Sequence, residues 1–504
     1  MNERIQNMLW LTVLYAVAAM AIGFWKYLRC ASISEYLLGS RMQFSRIAGI
    51  SAQTVLLGFL FTITVPMKAA EVSGGALGAI FAATGMTAGI FLSRFLISRR
   101  LRIYSELSGN SLSFPEFLEN RFNDKSGVVR AVCASVILVF GILFAANLFS
   151  VSSSLIDGIT GIGKIQALII CALLVAVFVF LGGLPAIAVT GYIKAGALLV
   201  FFVFILIFCF NPIYFEKVAF SGSKPLFFAA NSINSSNIAG NLFSNIMCFL
   251  SYVLMFFGIP FINTAYMSTK ERRVPKRKIF SELLWTVPSA AGAVMTGIIV
   301  CGAEKEPIHS VEQMVKTIYD TAAIPTGALI VTLIFIICIT TSNTAIFTAG
   351  EAFSYDLFSH GNSKKFSGKD SVNVVRFGVI GAAVIAMLYS VLAPDSDFLS
   401  TEFLISATSA AFGPTTLFCL FCDRLTAKGA VASIAGGLIC SSAFNYSEYI
   451  SGKPGIPPII PAFAVGTLLL FTVSFLDRKN ISAKTGNEFG RTREIARLKQ
   501  KKTL

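Results

Sequence analysis

Charge is scarce in this chain. Only 13% of its 504 residues are charged, about half the ~25% of a soluble domain, so the solvating surface of several soluble domains is missing. Histidine is nearly absent: His309 and His360 are the two copies, both between apolar runs, and a histidine metal site has too few ligands to form. No carboxylate lies deep in an apolar run, since Glu71, Glu351 and Glu402 fall near run ends. A membrane enzyme finds no support either, because no His/Asp/Ser constellation and no phosphate loop is present. The ten cysteines give no disulfide framework. Most, such as Cys133, Cys171 and Cys338, sit in apolar runs as small hydrophobes, and the Cys419/Cys422 CxxC reads as packing within a helix. The net charge of +15 comes from scattered residues, with no continuous basic domain, so no nucleic-acid partner is expected.

What the chain has is apolar length. It is 55% hydrophobic with a mean hydropathy of +0.74, and runs of the ~20 residues a spanning helix needs recur almost throughout. The fold class is therefore an all-α polytopic membrane protein with the bilayer as its partner. Thirteen spans are expected, at 8–28, 46–66, 73–98, 127–153, 163–182, 185–210, 238–264, 281–302, 325–350, 374–394, 400–422, 428–446 and 458–476. Gly182-Gly183-Leu184-Pro185 is the natural hairpin dividing the run from Ile165 to Phe210. The first span is long and flanked by Lys26 and Arg29, which suits a retained helix over a cleaved signal. With the N-terminus outside, 32 of the 41 basic residues fall on the cytoplasmic side against 8 on the other. Positive loops stay cytoplasmic, so the expected protein is integral to the plasma (inner) membrane, N-terminus out and C-terminus in. Ser113 and Glu116 form a capping-box pattern opening a short amphipathic helix expected at the membrane surface. Residues 478–504 form a basic cytoplasmic tail.

Two spans carry helix-breaking residues. Span 2 holds Ser51, Gln53, Thr54 and Gly58 and ends at Pro66, while span 7 contains Phe256-Phe257-Gly258-Ile259-Pro260. Broken helices at the midplane expose backbone groups to solute and ion, a device of secondary transporters. They open two five-span sets, 2–6 and 7–11, as an inverted repeat requires. A proline kink alone is the plainer reading of either one.

Several segments together resemble the sodium:solute symporter family, and its sodium/proline branch in particular. They are Ser34–Arg41 (SEYLLGSR), Leu112–Phe117 (LSFPEF), Asn120–Ser126 (NRFNDKS), Gly182-Gly183 with Ala186, Ala188 and Thr190, Phe256–Pro260 (FFGIP) and Ala410–Pro414 (AAFGP). The resemblance covers roughly residues 30–450. It implies a leucine-transporter-type core of ten helices, spans 2–11, working by alternating access. The organisation it suggests is an extra N-terminal span at 1–30, a transport core at 31–425, two accessory spans at 426–477 and the tail. It also implies import of a small organic solute, such as an amino acid, proline among them. No cofactor is expected beyond a coupling ion, Na+ or H+ in its place. A non-transporting solute sensor stays an alternative.

In the family, span-2 carbonyls and a hydroxyl pair on span 9 hold sodium. By that resemblance the cation residues here are Thr54, Leu57, Thr340 and Thr341, and the solute residues are Gln53, Gly58, Tyr252, Phe256, Gly258 and Pro260. Two nearby carboxylates of the proline branch fall on Leu56 and Gly191, so both are lost. Lys194 stands three residues after Gly191, on the same helix face. A lysine inside a span is costly and by default functional. The joint loss and gain suggest Lys194 as a tethered cation replacing sodium, with transport proton-coupled or uncoupled. The alternative is an ordinary sodium symporter in which Lys194 snorkels away from the site.

Overall fold

The computed structural model describes residues 3–30, 32–41, 50, 54, 56–70, 75–209, 238–270, 276–303, 311, 313–315, 324–358, 369–393, 399–451, 456–478 and 490. Gln53, Ser51, His309, His360 and nearly all of the tail lie outside the described residues. In chain order the helices are α1 (Glu3–Arg29), α2 (Ile33–Leu38), α3 (Val65–Ala70), α4 (Gly75–Ser93), α5 (Arg99–Leu107), α6 (Phe114–Phe122) and α7 (Val128–Thr160). They continue with α8 (Lys164–Cys209), α9 (Ile238–Met255), α10 (Pro260–Met267), α11 (Lys276–Ala303), α12 (Ile324–Glu351), α13 (Lys369–Leu392), α14 (Thr401–Cys419), α15 (Ala427–Ser451) and α16 (Ile459–Leu476). No strand forms among the described residues.

Helix occupies part of each expected span. Among the described residues eight helices are long and apolar enough to cross a membrane alone, and a ninth crosses as the pair Leu242–Met255 and Pro260–Met267, bent by 43°. Span 2 departs from a simple helix as well: Leu60–Thr64 winds as a π-turn before α3, a local widening that often marks function. Small residues set the helix spacing. A Cβ at Gly85 would lie 2.6 Å from the Phe249 carbonyl, and one at Gly89 2.9 Å from that of Tyr252, so α4 rides directly on α9. The accessory pair α15–α16 closes on α14 in the same way, with Gly437 against the Ala410 carbonyl.

The expected hairpin between spans 5 and 6 is a break inside α8. Gly183 takes φ +54° and ψ −157°, a backbone conformation open essentially to glycine. A Cβ there would meet the Tyr36 carbonyl at 2.7 Å. The Tyr36 hydroxyl donates to the Val179 carbonyl at 2.7 Å, so α2 is stapled into the notch. The α2 helix itself starts with a capping box, in which the Glu35 N–H donates to Ser32 Oγ and the Ser32 N–H to the Glu35 carboxylate, both at 3.3 Å.

The short helix α6 differs from expectation. Its capping box forms, with the Glu116 N–H donating to Ser113 Oγ at 3.1 Å. Its apolar face, however, turns into protein and not out to lipid: Phe117 and Leu118 are fully buried, and Phe114 meets Phe412 of α14 edge-on at 5.7 Å. Arg121 explains the preference, because its guanidinium donates to the Cys419 and Cys422 carbonyls at 2.9 and 2.7 Å and satisfies the open end of α14. The CxxC thus supplies the two carbonyls that accept from Arg121, and neither thiol is in a disulfide. Nearby, Arg130 bridges Asp356 at 2.8 Å and Glu119 at 3.3 Å, while Ser113 Oγ donates to Asp356 at 2.5 Å. Glu351, although near a helix end, is 4% exposed.

In the turn before α7, Asp124 accepts from Ser126 Oγ at 2.6 Å and from the Val129 N–H at 2.8 Å. Partial burial raises the carboxyl, but these hydrogen bonds outweigh it and hold the group below its ordinary value. The sign follows: this contribution to stability is present above the unfolded value near pH ~4 and fades as pH falls through the lower folded one. Asp124→Asn is expected to flatten the acid limb of a thermal-unfolding series. Gly183→Ala is expected to lower the unfolding temperature in detergent, by a loss of about 1–3 kcal/mol from backbone strain alone; an unchanged temperature would show that the backbone does not hold this conformation at 183.

Candidate functional site

The break at Gly183 redirects the chain so that the second half of α8 runs back through the bundle beside span 2 and α12. Lys194 lies 11 residues beyond the break and is 3% exposed. Its Nζ donates to Thr340 Oγ1 at 2.8 Å. Thr340 in turn passes its own proton to the Ile336 carbonyl at 2.8 Å, so its hydroxyl is oriented with a lone pair toward the ammonium. On the span-2 side the ammonium rests against Gly58, where a Cβ would lie 3.5 Å from Nζ. The tighter neighbour at 58 is Leu198, whose Cδ1 would lie 3.3 Å from a Cβ there, while Lys194 Nζ would be at ordinary contact distance. Among the described residues no carboxylate pairs with Lys194.

Of the residues expected to hold a cation, Lys194 and Thr340 are thus in direct contact. Thr341 donates to the Ile337 carbonyl at 2.7 Å, and Thr54 donates back to the Ile50 carbonyl. Leu57 is fully buried beside Gly58, as is Leu56. The expected solute residues lie in different surroundings. Gly58 lies against Lys194. Tyr252 sends its hydroxyl to Glu402 of α14 at 2.6 Å, and Lys68 approaches the other oxygen of Glu402 at 3.8 Å. Phe256 is fully buried and packs where Gly89 leaves room. Gly258 is a close-approach point, with a Cβ there meeting the Ser409 carbonyl at 2.4 Å. Gln53 is outside the described residues.

Pro260 alone of that group lines the cleft. This narrow cleft has a volume of about 40 Å³ and opens at the break between α9 and α10, walled by Phe140 and Phe144 of α7, Thr348 of α12, and Ile405 and Thr408 of α14. Sequence reasoning missed these walls because phenylalanine is so common here, with 46 copies, that no one of them stands out. A legible signal did exist in Thr340, Thr344 and Thr348, which repeat at i, i+4 and i+8 and so share a helix face. Eight residues of helix span ~12 Å, and that face carries the ammonium contact at one end and the cleft wall at the other.

The profile of the sodium:solute symporter family matches residues 67–437. A sodium/proline symporter of Staphylococcus aureus (strain Newman) is 25% identical over 501 residues, covering 96% of this chain and 95% of that protein. Among solved structures, a Na+-coupled sialic acid symporter in its substrate-bound outward-open state superposes with a TM-score of 0.72 at 15% identity, covering 93% of this chain and 98% of that one. The Eremococcus coleocola manganese transporter gives a TM-score of 0.52 at 11% identity, covering 92% and 100%. At these identities the structural likeness is one of fold.

Removing the acceptor from the ammonium tests the geometry directly. Thr340→Val is expected to destabilise the protein by about 1–3 kcal/mol, and by clearly less when Lys194 is already methionine. A double-mutant cycle on thermal unfolding checks this, and equal losses in both backgrounds would show that the contact is not made.

Proposed function

The chain belongs to the sodium:solute symporter family, and from that membership, which makes it an integral membrane transporter and not an enzyme, we propose how it works. It is a secondary active importer of a small organic solute by alternating access, in which the Lys194 ammonium takes the place of a sodium ion. One observation carries the reading: Nζ is 2.8 Å from Thr340 Oγ1 and packs on Gly58, between the span-2 and span-9 segments that the family uses for the ion. The positions where the proline branch has carboxylates are Leu56 and Gly191, so the negative charge that would balance both a sodium ion and an ammonium is gone.

Two cations at one uncompensated site repel strongly, because a buried charge without a partner is costly. Sodium and a charged Lys194 therefore exclude one another, and transport is proton-coupled or uncoupled. The 25% identity with a sodium/proline symporter supports an amino acid, proline among them, as the solute. The orientation follows the basic residues, N-terminus out and C-terminus in, in the plasma (inner) membrane.

Thermal unfolding in sodium chloride against choline chloride, at equal ionic strength, tests this without knowledge of the solute. Wild type is expected to be indifferent to the choice of cation. Lys194→Ala is expected to gain a saturable sodium stabilisation, ~2.7 kcal/mol at a hundredfold excess over Kd. A saturable sodium shift in wild type would restore the ordinary symporter, with Lys194 outside the ion's path. In proteoliposomes Lys194→Gln is expected to lose uptake or alter its pH profile, and retention of both unchanged counts against the lysine.

A further inference from the structure

The end of α12 that the proposed orientation puts at the cytoplasm gathers more acid than base, and the lysine site makes no use of it. Glu351 closes α12 and Asp356 follows in the π-turn Ala352–Phe358. Such a turn closes each hydrogen-bonded ring over five residues, which brings position 356 back toward the side of position 351. Both side chains are buried, at 4% and 2% exposure. Asp356 Oδ1 accepts from Ser113 Oγ at 2.5 Å and from Arg130 Nε at 2.8 Å. Its Oδ2 and Glu351 Oε1 are buried with no hydrogen-bond partner.

The surrounding charges do not balance these two groups. Glu351 is faced by Asp356, Glu116 and Arg130, and Asp356 by Arg130 and Glu116. Arg130 is the cation in that set, and it divides itself between Asp356 and Glu119. Glu116 already accepts from the Leu112 N–H at 2.7 Å and from the Tyr355 hydroxyl at 3.0 Å. The other titratable neighbours are Tyr36 of α2 beside Glu351, and Cys133 of α7 and Tyr355 beside Asp356. Helix α13 packs on the turn where Gly378 meets Ser354, and its Arg376 lies over the Tyr36 ring at 5.5 Å. Ionised together, Glu351 and Asp356 would bury two adjacent negative charges against one shared guanidinium. A buried carboxyl in that position keeps its proton. Among the described residues no group of three acidic, cysteine or histidine side chains is placed to hold a metal ion, which leaves a proton as the cation that balances the pair.

The pair is also in line with the lysine. Thr340, Thr344, Thr348 and Glu351 stand at i, i+4, i+8 and i+11, and eleven residues are about three turns of helix, ~16 Å. One face of α12 thus runs from the hydroxyl that holds Lys194 to Glu351. We propose that Glu351 and Asp356 form a binding site for one proton, the cytoplasmic station of a proton-coupled cycle, covered by α6 through Ser113 and opened when α6 and the turn part. As a step of transport this rests on the reading above; as a proton site it stands on the buried pair.

Glu351→Gln keeps the shape, removes the proton and breaks no hydrogen bond at Oε1. Infrared spectra of the detergent-purified wild type near neutral pH are expected to carry the C=O stretch of a protonated carboxylic acid, shifted in D2O. Glu351→Gln, or Asp356→Asn as a second variant, is expected to lose it. Unfolding gives an independent measure. The folded state holds a proton that the unfolded chain releases at pH ~4.3, so its stabilisation is full below that value and is lost as pH rises. One proton of difference changes the unfolding equilibrium about tenfold per pH unit. The unfolding temperature of wild type is therefore expected to fall against that of Glu351→Gln from about pH 5 to about pH 7. No such band in wild type, a band retained in both variants, or parallel pH series overturns the site. Failure of the transport reading looks different: a saturable sodium shift in wild type removes the lysine as the tethered cation and leaves the infrared band in place.

Discussion

A single lysine amine buried where three helices meet is the constraint around which this bundle is arranged. Lys194 has one hydroxyl as its acceptor and a glycine as its floor, with no anion among its described neighbours. Apolar packing cannot stabilise such a group, so its position has to come from elsewhere. The Gly183 notch aims the second half of α8, the Thr340 proton is tied back into its own helix, and α12 holds both on a rigid rod. Because Thr348 stands on that same face, any displacement of α12 that moves the cleft wall also moves the lysine's acceptor. The lysine contact and the cleft wall are thereby parts of one mechanical element.

The other end of the bundle is tied differently. There the polar groups are paired: Arg130 with Asp356 and Glu119, Ser113 with Asp356, and Arg121 with the last carbonyls of α14. These contacts join α6, α7, the π-turn after α12 and α14, and of these α7 and α14 also wall the cleft. Across the cleft, Tyr252 and Lys68 converge on Glu402. Breaking a buried ion pair is far costlier than shifting apolar surfaces past one another, so the polar ties fix where the helices stay together and the apolar walls leave room for them to part.

Much of this was legible from residues alone. The spans followed from apolar length, the notch from Gly182-Gly183 and Pro185, the capped α6 from Ser113 and Glu116, and the bend in span 7 from Gly258 and Pro260. Lys194 could be singled out because charge is so rare within the spans that one lysine is conspicuous. The walls of the cleft were not legible, since Phe140 and Phe144 look like any lipid-facing pair until α10 and α14 are brought against them. Tyr252, expected among the solute residues, donates to Glu402, a partner 150 positions away that no local pattern connects to it. The destination of α6 was hidden for the same reason: a helix with one apolar face does not say whether lipid or protein will cover it.

The notch at Gly183 has a bearing on how the chain enters its membrane. Between Lys164 and Lys194 the sequence carries no charged residue at all, and the turn joining the two spans is a few residues of glycine, leucine and proline. Such a segment offers the insertion machinery no loop to retain and no basic residue to read. The two helices must partition into lipid together, as one preformed hairpin, and take their orientation from the basic segment before α7 and from whatever follows α8. A charge introduced into that turn would give this hairpin a topological vote it does not otherwise possess.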